Sequence, residues 1–76
     1  MYKIPALLER RSKGPILAVL RVQDEVLHIV EVTCKGGKQY ALGCKQKAGG
    51  YKWILGPTGK AELWNAMKET WDVKVI

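Results

Sequence analysis

Between Pro15 and Leu55 the chain is punctuated by three clusters of turn-forming residues: Asp24-Glu25, Lys35-Gly36-Gly37-Lys38 and Lys47-Ala48-Gly49-Gly50. The stretches they separate, 15–23, 26–34, 39–46 and 51–55, are rich in β-branched and aromatic residues and read as strands. Links this short join antiparallel neighbours, because a parallel crossover needs a dozen or more residues. The first ten residues add a fifth strand, which Pro5 confines to a sheet edge, with a helix over 6–11 as the competing reading. Gly56-Pro57-Thr58-Gly59 closes the last strand, and Thr58 is placed to cap a helix running to about Trp71. Leu63, Trp64, Met67 and Trp71 form its apolar stripe. The tail Asp72-Val-Lys-Val-Ile alternates like a short strand that pairs at a sheet edge or in a partner subunit. The expected fold is therefore α+β: an antiparallel four- to five-stranded meander, left open or curled into a small barrel, covered by one C-terminal amphipathic helix.

At 76 residues this is one small basic domain, 1–76, with a marginal core that oligomerisation would help. A hydrophobic fraction of 47% argues against disorder. Cys34 and Cys44 have only His28 to join them, too few ligands for a structural zinc site. No leader with an apolar core and no run of membrane-spanning length stands out, so the expectation is an intracellular protein, cytoplasmic or nucleoid-associated, with free thiols and no membrane partner. One serine, one histidine and two aspartates are little material for catalysis. No enzyme activity, cofactor, metal or small-molecule substrate is expected.

Register follows from side-chain parity, since a slip of one residue exchanges the faces of a strand. A two-residue Gly36-Gly37 loop leaves Tyr40 and Leu42 on the side away from Val30 and Val32. A three-residue loop, Lys35-Gly36-Gly37, pairs Val32 with Tyr40 and Val30 with Leu42, and is preferred. It sets His28 opposite Cys44, and a two-residue Ala48-Gly49 turn then sets Trp53 opposite Cys44 and Leu55 opposite Leu42. On this register Tyr40 and Trp53 belong to the face under the helix. Leu17, Val19, Leu27 and Ile29 make a second apolar face, which is covered by barrel closure or by a homodimer.

The net charge is +6, and its placement is uneven. From Val32 to Ala61 there are six lysines and no acid. Lys45, Lys47 and Lys52 are expected on the face away from the helix, with Lys45 across from Lys52. Like charges so placed invite an anionic partner. Lys35, Lys38, Lys45, Lys47 and Lys52 are the candidate phosphate contacts, with Tyr51 as the available aromatic and Arg10, Arg11 and Lys13 extending the path. The competing readings are a solvated surface, or a small protein-binding module such as a viral or phage inhibitor that meets an acidic or nucleic-acid-processing host protein.

The meander followed by Tyr51-Lys-Trp-Ile-Leu-Gly-Pro-Thr-Gly-Lys-Ala-Glu-Leu-Trp-Asn-Ala-Met-Lys-Glu resembles the single-stranded-DNA-binding transcriptional coactivators (the positive cofactor four family) and their Pur and Whirly relatives. The resemblance spans residues 15 to 71 in outline, and in residue identity mainly Ile54 to Trp64. It implies single-stranded nucleic-acid binding, DNA or RNA, on the sheet surface of a homodimer. The Arm-binding domains of phage integrases, three strands and a helix, fit less well.

Overall fold

The computed structural model describes residues 2–11 and 14–76; Lys13, one of the candidate contacts, lies outside them. The elements are β1 (Ile4–Arg10), β2 (Ile16–Val22), β3 (Glu25–Cys34), β4 (Gly37–Lys45), β5 (Tyr51–Thr58), α1 (Lys60–Thr70) and β6 (Trp71–Val75). They form a six-stranded sheet in the order β5-β4-β3-β2-β1-β6, open at both ends rather than closed into a barrel. β1 to β5 make the expected antiparallel meander. β6 makes the sheet mixed, because it pairs parallel to β1, Ile4 with Trp71 through Leu8 with Val75.

Pro5 did not confine β1 to an edge: β1 lies between β2 and β6. The β1–β2 ladder begins at Ala6↔Val22, so the donor that proline lacks is not called for on that side. The helix begins one residue later than expected. Thr58 ends β5, and the N-cap is Gly59, which makes no side-chain cap. The apolar stripe holds, with Leu63 and Met67 buried, and Trp71 buried as the first residue of β6.

Leu63 and Met67 enter one core with Ala6, Leu8, Ala18, Leu20, Val22, Leu27, Leu42 and Trp71. Fully burying side chains of the Leu or Met class contributes about 1.5–3 kcal/mol each, so this layer is the principal source of stability. The helix packs against β4, β5 and β6. Because β5 and β6 are opposite edges, the sheet curls around the helix, and its other face is the outer, convex one.

Both central hairpins are shifted by one residue from the preferred register. Lys35 and Gly36 form a two-residue loop, and Cys34 pairs with Gly37, whose φ of 125° suits glycine. Val30 consequently faces Ala41, and Ile29 faces Leu42. At the next hairpin Lys45 pairs with Tyr51, and Gln46 bonds Gly50. A bulge at Ile54 then restores the expected Leu42↔Leu55 pair. Gly56 is confined to glycine, since at φ 81° an added Cβ would lie 2.7 Å from the Tyr40 carbonyl oxygen.

The expected second apolar face is corrected accordingly. Leu27 and Ile29 point toward the helix, with Leu27 in the core and Ile29 packed against it. Val19 points the other way, and Leu17 is the extra residue of a bulge between Ile16 and Ala18. These four residues do not share a face.

Candidate nucleic-acid interface

The uncovered face is ordered by a row of paired residues that crosses five strands: Glu9, Val19, His28, Gly43 and Trp53. Beside it, Lys45 pairs with Tyr51. The shifted register therefore carries Trp53 out from under the helix, contrary to expectation, and leaves it 40% exposed. It also separates His28 from Cys44: His28 is across from Gly43 on the outer face, while Cys44 packs against the core.

Three rings meet here. Trp53 and Tyr51 stack at 5.4 Å between centroids with planes 11° apart. Tyr51 meets His28 edge-on at 5.8 Å, and the Tyr51 hydroxyl lies 3.3 Å from His28 Nδ1. Gly43 makes room for this arrangement. A Cβ on Gly43 would come within 2.6 Å of Trp53 Cε3, so the indole lies against bare backbone. Strand alternation projects Tyr51 and Trp53 to the same side, and their stacking presents a continuous aromatic surface.

The lysines divide between the faces. Lys45 stands beside Tyr51, and Lys47 sits in the hairpin that follows. Lys52 pairs with Cys44 and so belongs to the helix side, not opposite Lys45 as expected. Lys38 lies 3.5 Å from Glu31, an acid just outside the lysine-only stretch. Lys35 occupies the turn at the far end of β3. Arg10 pairs with Ala18 on the helix side, and the Arg11 amide donates to the Leu17 carbonyl beyond the strand end. Arg21 is on the outer face but is paired with Glu9 at 3.6 Å. The candidate residues that come together are thus Tyr51, Lys45 and Lys47, joined by Trp53 and His28. Trp53 as a surface aromatic was missed, and its signal was Gly43, the glycine within β4 against which the indole lies.

Apart from this cluster, Leu7 and Val26 are exposed apolar residues of the outer face, whereas Val19, Val30 and Ala41 are small and buried. Among the described residues no cluster of three potential metal ligands is found, and no helix is long and apolar enough to cross a membrane. Neither protein-family models, nor curated proteins, nor solved structures provide a match to this chain.

Proposed function

We propose that the outer sheet face binds single-stranded nucleic acid, with Trp53 and Tyr51 as a base-stacking platform and Lys45 and Lys47 as phosphate contacts. The observation that carries this reading is the exposed Trp53 ring stacked on the half-buried Tyr51, beside Lys45. Stacking on aromatic faces tolerates any base, and lysine meets phosphate as a point charge without the bidentate fork of arginine. The two together give backbone binding with little sequence preference. A duplex, whose bases are already stacked on one another, has no use for the platform. The strand-and-helix order behind the resemblance to the coactivator family supports the same reading. Lys52, Arg10 and Arg11 lie outside this face, and Lys38 is partnered; the proposed site is narrower than the full set of basic residues.

The test is fluorescence anisotropy of labelled single- and double-stranded oligonucleotides at low and physiological salt, with wild-type protein and Trp53→Ala. Single strands are expected to bind in preference to duplexes, and Trp53→Ala is expected to weaken them by about 1–3 kcal/mol, the usual value of one stacked base. An unaltered affinity in the folded variant would remove the platform from the proposal. Absence of binding at low salt would end it.

A further inference from the structure

On the other side of the sheet, the helix leaves a cleft of about 640 Å³ between its first turns and the end of the sheet that carries Arg10, Arg11 and Leu17. Its walls are apolar, with Leu8, Leu17, Ile29, Trp64 and Met67 among them. Among the described residues, the polar side chains that line it are the Tyr40 phenol and three cations, Arg10, Arg11 and Lys60, with no acid. Each of the three cations is exposed, so the charge sits at the mouth while Leu63 and Met67 close the floor. The Leu17 bulge contributes here, since the extra residue turns a side chain into the cleft instead of continuing the strand's alternation.

We propose that this cleft binds a free single-chain carboxylate amphiphile, a fatty acid, with the alkyl chain along Leu8, Ile29 and Met67 and the carboxylate at Arg10, Arg11 and Lys60. Charge complementarity selects the headgroup, because the planar fork of a guanidinium matches a carboxylate in geometry as well as in sign. The apolar floor selects the tail. Size separates this occupant from a protein. A volume of this order is that of a small-molecule site, typically about 300–1,000 Å³, whereas a stable protein interface buries about 800 Å² on each partner. The site is independent of the nucleic-acid proposal, as Trp53, Tyr51 and Lys45 stand on the opposite face.

The experiment is calorimetric titration of the whole chain with sodium decanoate below its micelle-forming concentration, alongside acetate, decyltrimethylammonium and vesicles of phosphatidylglycerol. Saturable one-to-one binding of decanoate is expected, with none of acetate or of the cationic amphiphile. The double variant Arg10→Glu/Arg11→Glu should weaken decanoate about tenfold to a hundredfold, the range for losing charge-assisted contacts. Ala61→Trp, at an exposed helix position lining the mouth, should block entry while preserving the melting temperature. Decanoate binding that survives both substitutions in folded protein would overturn the proposal. So would equal binding of the cationic amphiphile, or binding to vesicles without binding to the monomeric acid.

Discussion

The two faces of this sheet are built from different materials. The inner face is aliphatic, with Leu20, Leu27 and Leu42 at or near zero exposure beneath Leu63 and Met67. The outer face has short residues at its centre, Val19, Val30, Ala41 and Gly43, and gathers its aromatic rings in the cluster at one end. Close packing stabilises the first. The second contributes less to stability and leaves its aromatic area in contact with water, where a ligand can reach it. Close aliphatic packing and water-exposed aromatic surface are thus on opposite sides of one layer of backbone.

That division can be broken by substitution. Leu42→Ala, in the inner face, should cost about 2–5 kcal/mol in urea unfolding, a large part of the roughly 5–15 kcal/mol available to a domain. A loss below about 1 kcal/mol would mean that the inner face is not the principal core. Gly43→Ala acts on the opposite side of the same strand. The new methyl group meets both the Trp53 ring and, at 3.2 Å, the Lys52 carbonyl oxygen. About 1–3 kcal/mol of stability should be lost as the indole is pushed aside, with a shift in tryptophan emission and weaker oligonucleotide binding. Unchanged emission would show that the ring does not depend on the glycine.

The smallest effect separates the lysines. Lys45→Ala should lower the slope of log affinity against log salt by about 0.7, the value for one phosphate contact with a single strand. Lys52→Ala, on the helix side, and Lys38→Ala, beside Glu31, should leave the slope unchanged. Equal effects from all three would mean that general charge, and not one face, attracts the ligand.

The order of strands, their approximate limits and the helix stripe were legible in the sequence, because Gly, Asp and Lys clusters punctuate runs of β-formers and because Leu63, Trp64, Met67 and Trp71 keep helical spacing. The terminal strand was legible too, though not its parallel partner. The faces were not. Register was inferred on the premise that Val30 and Val32 share a side with Tyr40 and Leu42, but β3 is apolar on both sides, so hydrophobicity alone does not distinguish two registers one residue apart. The register shifts, at Leu17 in β2 and twice along the β4–β5 ladder, at Ile54 and between Leu55 and Thr58, depend on contacts between strands and leave no local signature in the chain. Hence charge clustering singled out Lys45 and Lys47, and position at the sheet end singled out Tyr51, while Trp53 was assigned to the wrong face and Lys52 with it.

The parallel pairing of β1 with β6 also bears on the order in which the molecule assembles. Each hairpin of the meander closes over a short loop, but Ile4 meets Trp71 and the Ile76 amide meets the Leu8 carbonyl across nearly the whole sequence. Closing a loop that long has a large entropic cost and is repaid only once the helix has seated Trp71. Until then one side of β1 remains an unpaired edge, free to pair with another chain. The meander can form early by local steps, whereas a protected, fully paired β1 is among the last features to appear.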